Sequence, residues 1–310
     1  MSHRKLIQFI LLSIPLLFLA TSPLYFSSYI VSFLLILCFY VALTQGWNMF
    51  SGYSGYTSIG YVAFYGIGMY TSGILLGFLP YPITILCGGL VSGLVAMALG
   101  PAILRVKGIY YLIVTFTLSE AMKNALIFWE DVSGGSFGRI IPSQDSLLVY
   151  YLIVAVAFVS IIVAYAIKNS KFGLGLFLIN DDELAAEAMG VNTKKYKLIG
   201  FLVSCVFAGV IGGIMAGRFG YMDPRMIFDT AISFQVVIMA LLGGTRQVLG
   251  PIVGTVLLVT LSEFVFGGQF VNQFVIILGV LIILLVIFMP MGVIEFVKSL
   301  RTKRFKFKVG

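Results

Sequence analysis

Residues 147–167, LLVYYLIVAVAFVSIIVAYAI, decide the fold class, because this stretch contains no charged residue. A helix needs about twenty apolar residues to cross the hydrocarbon core of a bilayer. Strands of a membrane β-barrel instead show about ten residues of weak apolar and polar alternation. The unbroken run therefore predicts a membrane-spanning helix, in which every backbone polar group is satisfied internally.

Nine further apolar runs flank this stretch. Sixty per cent of the 310 residues are apolar and only 10% are charged, whereas soluble domains carry about a quarter charged residues. A soluble protein of this size could not bury so much apolar surface. We predict an all-α protein, a polytopic integral membrane helical bundle with about ten transmembrane helices, at residues 6–22, 24–44, 53–79, 82–104, 109–128, 147–167, 197–217, 230–243, 248–266 and 271–289.

The distribution of lysine and arginine predicts the orientation of these spans. With ten spans, sixteen of the 20 basic residues fall on the side of both termini and four on the other. Basic residues favour the cytoplasmic side, so both termini, the loop 168–196 and the basic tail 291–310 are predicted to be cytoplasmic. The net charge of +8 then reflects contact with anionic lipid rather than nucleic acid. Residues 6–22 also fit a signal peptide, which is the alternative to a first span.

The side chains that usually perform catalysis or bind metals are scarce. The three cysteines lie inside apolar runs and the single histidine is His3, so the chain shows no metal-ligand spacing and no catalytic constellation. It also contains no phosphate-binding loop of the Gly-x4-Gly-Lys-Ser/Thr type. We expect a transporter rather than an enzyme, and any ATP hydrolysis would belong to another chain.

The predicted cytoplasmic loop 168–196 contains a short amphipathic helix. Asp181 or Asp182 is a suitable N-cap, Glu183 adds negative charge to the first turn, and Gly190 is a C-cap candidate. The small side chains of this helix favour close docking into a groove on a partner, although a solvated connection between spans remains the alternative. The predicted docking residues are Asp182, Glu183, Ala185, Ala186, Glu187, Ala188 and Gly190.

Two glycine-rich segments, residues 46–68 and 243–254, lie inside the apolar runs. Glycine interrupts helices and permits close helix packing, and interrupted helices in the two halves of a transporter indicate the translocation path. The third and eighth spans are therefore candidates for broken or re-entrant helices, with plain helix packing as the alternative. The predicted path residues are Asn48, Ser54, Thr57, Ser58, Gly243 and Gly244.

Nearly the whole chain resembles the permease subunits of branched-chain amino acid type ABC transporters. The glycine-rich block GYSGYTSIGYVAFYGIGMY, at residues 52–70, and the loop block ELAAEAMG, at residues 183–190, are similar to motifs of that family. The remaining blocks follow in the order and spacing of the family, at residues 105–120, 133–142, 170–173, 196–197, 243–244, 249–254 and 290.

The resemblance implies a function, partners and a location. The chain would be one permease of an ATP-driven importer in a prokaryotic cell membrane, most consistent with a branched-chain amino acid as solute. Its partners would be two cytoplasmic ATP-binding subunits, a second related permease and an extracytoplasmic solute-binding protein facing residues 129–146 and 218–229. The loop helix would couple to the ATPase, and ATP and Mg would be used by that partner, so no cofactor is expected in this chain.

Several residues depart from the family pattern and leave the solute open. The family usually has histidine at Tyr61, arginine at Asn180, an acidic residue at Phe137 and small residues at 245–247. A permease for urea or a short amide is therefore an alternative. A stand-alone secondary transporter or channel is another, but it would need ion-coupling carboxylates near the midplane, and Glu120 and Glu263 fall close to the ends of their runs.

Overall fold

A computed structural model describes residues 18–132 and 139–266. The predicted last span, residues 271–289, and most of the predicted first span, residues 6–22, lie outside the described residues. Residues 18–25 are helical. The predicted basic tail 291–310 is also outside them.

The described chain is almost entirely helical. In chain order the helices are α1 Ser28–Trp47, which continues into a π-helical segment Asn48–Gly52, then α2 Tyr61–Leu75, α3 Tyr81–Ile103, α4 Ile109–Val132, α5 Ser146–Lys168, α6 Lys171–Asp181, α7 Glu183–Ala188, α8 Thr193–Ala216, α9 Pro224–Ile227, α10 Thr230–Gly243 and α11 Leu249–Phe266. Two strands, β1 Arg139–Ile140 and β2 Tyr221–Met222, pair antiparallel.

Six helical segments in the described ranges are long and apolar enough to cross a membrane. They are Ser28–Gly52, Tyr81–Ile103, Ile109–Val132, Ser146–Lys168, Thr193–Ala216 and Pro224–Gly243, and a shorter apolar helix covers Leu249–Glu263. The chain is therefore an all-α polytopic membrane protein. The total of ten spans and the side of the termini stay predictions.

The helix boundaries around the first glycine-rich segment differ from those of the predicted third span, residues 53–79. The helix that begins at Ser28 continues past Gly46 to Gly52. Its last five residues, Asn48–Gly52, form a π-helical turn. The chain leaves helical geometry only at residues 55–60 and restarts at Tyr61. Gly55 has a φ of +76°, and a Cβ atom at Gly60 would lie 1.9 Å from the Thr115 carbonyl oxygen. The predicted interruption is confirmed, and it is confined to these six residues.

Helix α8 occupies the centre of the bundle and packs most extensively against α2 and α3. Glycines make this packing close: a Cβ atom at Gly68 of α2 would lie 2.1 Å from the Gly209 carbonyl oxygen of α8. Without a hydrophobic driving force between helices in lipid, such close backbone approach is a main source of helix association.

The loops collect at two ends of the bundle. Arg139 pairs with Met222 and Ile140 with Tyr221, which joins the two segments predicted to be external. At the other end, predicted cytoplasmic loops contact one another through ion pairs. The structure thus separates the loops into the same two groups that the charge pattern predicts.

Candidate coupling junction

Helix α7 has the caps that its sequence predicts. The Asp182 side chain accepts hydrogen bonds from the backbone N–H groups of Leu184 and Ala185, at 2.8 and 3.1 Å. The helix ends before Gly190, which has a φ of +85°. A left-handed glycine after the last turn is a common helix stop. The sequence did not predict the preceding helix α6, which begins after the Ser170 cap.

Two of the predicted docking residues of α7, Ala186 and Glu183, face the chain itself. Ala186 is fully buried against the rest of the chain, so its side chain is not available on the surface. Ala185 and Ala188 are exposed, and so are Leu184 and Met189, at 72% and 63% of their surface. The exposed apolar face of α7 therefore consists of these four residues. Glu187, also exposed, accepts a hydrogen bond from the Thr193 hydroxyl at 2.5 Å.

Glu183 does not point toward a partner but toward its own chain. One carboxylate oxygen accepts a hydrogen bond from the Lys197 ammonium at 2.6 Å. The other is bonded to the Tyr56 hydroxyl at 2.8 Å and paired with the Lys107 ammonium at 2.9 Å. Lys197 in turn donates to the Tyr56 hydroxyl at 3.1 Å and lies 4.9 Å from the centre of its ring. We call Tyr56, Lys107, Glu183 and Lys197 the Glu183 cluster.

The Glu183–Lys197 pair at the centre of the Glu183 cluster is shielded from water, whereas the Lys107 side chain is 56% exposed. The Lys197 side chain is only 5% exposed and the Glu183 side chain 12%. Burial alone would raise the pKa of the Glu183 carboxyl, but hydrogen bonds from Lys197, Lys107 and Tyr56 outweigh it and lower this pKa to about 2. A buried charge is stable only when it is paired and hydrogen-bonded, and here each charge has a partner.

The Glu183 cluster joins four parts of the chain at one end of the bundle. Tyr56 belongs to the helix interruption at 55–60, Lys107 to the α3–α4 loop, Glu183 to α7 and Lys197 to the first turn of α8. The sequence analysis counted Lys197 among the basic residues of the cytoplasmic side and gave Tyr56 no individual role. Their contacts are long-range in sequence, 141 residues apart for this pair, so no local pattern could indicate them.

A second ion pair connects the same end to the other glycine-rich segment. Arg246, which follows α10, donates to a carboxylate oxygen of Asp181 at the end of α6. Both side chains are about half exposed, so the pair is weaker than the Glu183 cluster. It nevertheless gives Arg246 a partner within the described part of the chain.

The predicted path residues of the first segment are nearly all buried. The Asn48 amide donates to the Gln247 carbonyl at 3.3 Å, while its Oδ1 is buried without a hydrogen-bond partner. Ser54 donates to the Phe50 carbonyl at 2.7 Å, and the Ser58 carbonyl accepts from the Trp47 indole at 2.8 Å. Thr57 is partly exposed. Asn48 thus bridges the two glycine-rich segments and keeps one unsatisfied acceptor. The Ser54 hydroxyl is instead bonded to the helical turn just before the interruption.

The second glycine-rich segment is a tight crossing of α10 and α11. A Cβ atom at Gly243 would lie 1.7 Å from the Gly250 carbonyl oxygen, and Gly244 has a φ of +104°. Helix packing therefore accounts for Gly243 and a turn for Gly244. Whether either residue also borders the translocation path stays a prediction.

A bundle of apolar helices that contains an interrupted helix, and carries a capped helix exposed at one end, has the architecture of a membrane permease. The chain belongs to the family described as branched-chain amino acid transport system / permease component, whose model matches residues 29–286. It is a LivM-like, multi-pass protein of the plasma membrane.

Curated relatives place the chain more closely within this family. It is 28% identical over 295 residues to the high-affinity branched-chain amino acid transport system permease protein LivM of Salmonella typhimurium, covering 82% of this chain and 67% of that protein. LivM of Escherichia coli is 27% identical over 293 residues, with the same coverage. The nucleoside ABC transporter permease protein NupC of Lactococcus lactis is 31% identical over 131 residues, 41% of this chain and 39% of NupC. No solved structure matches the chain.

Proposed function

We propose that this chain is one of two related permeases in an ATP-driven importer, and that its solute is a hydrophobic, branched-chain amino acid. The partners in this proposal are two cytoplasmic ATP-binding subunits and an external solute-binding protein. ATP and Mg would be bound by the ATPase subunits. The likeness to LivM over 82% of the chain supports the solute.

The observation that carries the coupling role is the division of α7 into two faces. Leu184, Ala185, Ala188 and Met189 form an exposed apolar face that is free to dock. The opposite face is fixed through Ala186 and Glu183 to the bundle. A helix that couples the ATPase to the bundle needs both faces. The ATPase can move the helix only through the exposed apolar face, and the opposite face transmits that motion to the bundle.

The proposed motion follows the contacts of the junction. When the ATPase pair closes, α7 is displaced together with Glu183 and, through α6, Asp181. Glu183 acts on Tyr56 in the interruption of the first glycine-rich segment, and Asp181 acts on Arg246 beside the second. The two ATPase states would thereby favour different openings of the path, which is coupling through differential contacts.

The stand-alone transporter is less well supported, because the two carboxylates that it could use are engaged within the chain. Glu120 forms an ion pair with Lys123, and Glu263 accepts a hydrogen bond from the Tyr29 hydroxyl. A nucleoside is a second candidate solute, on the evidence of the match to NupC over 41% of this chain. A urea or short-amide solute is the third candidate.

Uptake by cells that carry the complete importer tests the solute. Wild-type cells and cells that lack this chain would be compared for ATP-dependent accumulation of labelled leucine, urea and uridine. Leucine uptake that depends on the chain is the expected result. Chain-dependent uptake of urea or uridine without leucine would replace the solute and leave the permease role intact.

Affinity purification of the tagged chain in mild detergent tests the docking face. The wild type should bring down a P-loop ATPase and a second multi-span permease. The change Met189→Arg places a charge on the apolar face and should reduce ATPase recovery by about tenfold or more, with the second permease still present. The control Lys195→Ala alters an exposed residue at the start of α8. Equal ATPase recovery in both variants would contradict docking through α7.

A further inference from the structure

Arg218 stands out among the charged residues at the end of the bundle predicted to be external. It follows the last turn of α8, and its backbone N–H bonds to the Met215 carbonyl at 3.1 Å. The side chain turns inward, since its Nη1 atom is buried and has no hydrogen-bond partner. None of the ion pairs among the described residues includes Arg218.

A guanidinium with one buried nitrogen that has no hydrogen-bond partner requires an explanation. Arginine carries five donors and stays charged in proteins, and a buried charge is costly unless it is paired. Outside the described residues the sequence contains one acidic side chain, Glu295, which precedes the predicted cytoplasmic tail residues Lys298 and Arg301. Burial lowers the pKa of Arg218, and the nearby Tyr65 opposes this change. A structural arginine would normally bond its buried nitrogen within the chain, whereas a binding arginine keeps that donor for its ligand.

The surroundings of this guanidinium belong to the helices that form the predicted path. Tyr65 lies one turn after the interruption, in α2, and its ring packs edge-to-face on Phe39 of α1 at 5.7 Å. Tyr40 of α1 packs edge-to-face on Phe39 and donates a hydrogen bond to Gln235 of α10. A Cβ atom at Gly212 of α8 would lie 2.1 Å from the Tyr65 carbonyl oxygen, so the end of α8 that carries Arg218 packs against α2 beside these hydroxyl, amide and aromatic groups.

We propose that Arg218 binds the carboxylate of the transported solute at the outer end of the path. This inference rests on the proposed function and narrows it, because it selects solutes with a carboxylate, such as amino acids, over neutral amides, nucleosides and urea. Arginine recognises a carboxylate through two parallel hydrogen bonds. An anionic lipid headgroup offers similar chemistry, so the test has to separate the two sources.

Ligand-induced thermal stabilisation tests the site without requiring turnover. The assembled complex in nanodiscs of zwitterionic lipid would be melted with leucine and with leucinamide, which lacks only the carboxylate. Leucine should raise the melting temperature of the wild type and of Arg225→Gln, an exposed arginine of the same end, but not of Arg218→Gln. Equal stabilisation by leucinamide would overturn the carboxylate assignment. Stabilisation by anionic lipid instead of leucine, lost in Arg218→Gln, would assign the site to a headgroup and overturn the solute assignment.

Uptake measurements on the same variants complete the test. Arg218→Gln should lower the apparent affinity for leucine roughly ten- to hundredfold, the effect of losing a charged hydrogen-bond partner, while Arg218→Lys recovers part of it and Arg225→Gln stays within about twofold of the wild type. Wild-type behaviour of Arg218→Gln would overturn the inference. A wild-type complex that lacks an ATPase would instead overturn the proposed function, and the leucine and leucinamide melts would still report on Arg218.

Discussion

At the scale of single residues, Glu183 and Lys197 form the most buried ion pair among the described residues. Removing one partner of a buried pair leaves an uncompensated charge and costs roughly 3–5 kcal/mol. Glu183 keeps some contact with water, so we expect Glu183→Gln to cost less, about 2 kcal/mol. The variant should melt at a lower temperature in detergent and support less leucine uptake, because Lys197 and Tyr56 lose the group that holds them.

The double variant Glu183→Gln/Lys197→Gln separates charge burial from coupling. Removing both charges relieves the unpaired ammonium, so the melting temperature should recover toward the wild type. Uptake should stay low if the pair transmits the motion of α7. Recovery of uptake together with stability would show that the pair serves folding alone, and an unchanged melting temperature in the single variant would contradict the burial argument.

The pH dependence of stability gives a further test of Glu183. Its folded pKa of about 2 lies below the value of roughly 4.3 for an unfolded glutamate. A lowered folded pKa gives stability that is present above the unfolded pKa and is lost as the pH falls toward the folded one. The difference in melting temperature between the wild type and Glu183→Gln should stay constant from about pH 7.5 to about pH 5.5 and shrink below about pH 4. A difference that already shrinks between pH 7.5 and pH 6 would contradict the lowered pKa.

At the scale of elements, the interruption at 55–60 depends on close contact with α4. A methyl group at Gly60 would meet the Thr115 carbonyl at 1.9 Å, whereas at Gly77 nothing lies within 4 Å. Gly60→Ala should therefore destabilise the protein by about 2 kcal/mol or more, through overpacking against backbone. The matched Gly77→Ala should stay within about 0.5 kcal/mol. Melting temperatures of both purified variants provide the comparison. Equal values would show that α4 can move away from the added methyl group without a loss of stability.

The helices themselves could be predicted because each apolar run has to satisfy its backbone bonds internally. The caps of α7 were also predictable, since Asp182 and Gly190 act on their own turn. The position of the interruption was not, because glycines and hydroxyl residues occur throughout 46–60 and the π-helical turn at Asn48–Gly52 has no clear sequence signature. Helix α6 was missed because its glycines, Gly173 and Gly175, lower the expected helix propensity.

The candidate site was predictable only in part. The exposed apolar face of α7 follows from local spacing, except that Ala186 faces the bundle. The contacts that join α7 to the glycine-rich segments were not accessible, because Tyr56 and Glu183 are 127 residues apart and Asp181 and Arg246 are 65 apart. Such pairs depend on how the helices pack, and that packing cannot be inferred from the local pattern of a single sequence.

At the scale of the whole molecule, the charge pattern and the contacts agree on which loops share an end. Lys107 and Glu183 meet at one end, while Arg139 and Met222 pair at the other. Since most basic residues cluster on the first side, the positive-inside rule assigns it to the cytoplasm. With an even number of spans, the C-terminus would lie on that side as well. This prediction concerns residues 291–310, which lie outside the described part of the chain.

Cysteine labelling with a membrane-impermeant maleimide tests this arrangement. In a background that lacks the half-buried Cys87, the changes Ile140→Cys, Lys171→Cys and Gly310→Cys provide one probe for each region. Ile140, 90% exposed on β1, should react in intact cells. The cysteines introduced at positions 171 and 310 should react only after the membrane is permeabilised, because both positions are predicted to be cytoplasmic. If the cysteine at position 310 reacts from outside while the one at 171 does not, an odd number of spans lies between these positions. The predicted four spans after position 171 and the cytoplasmic location of the tail 291–310 would then be wrong.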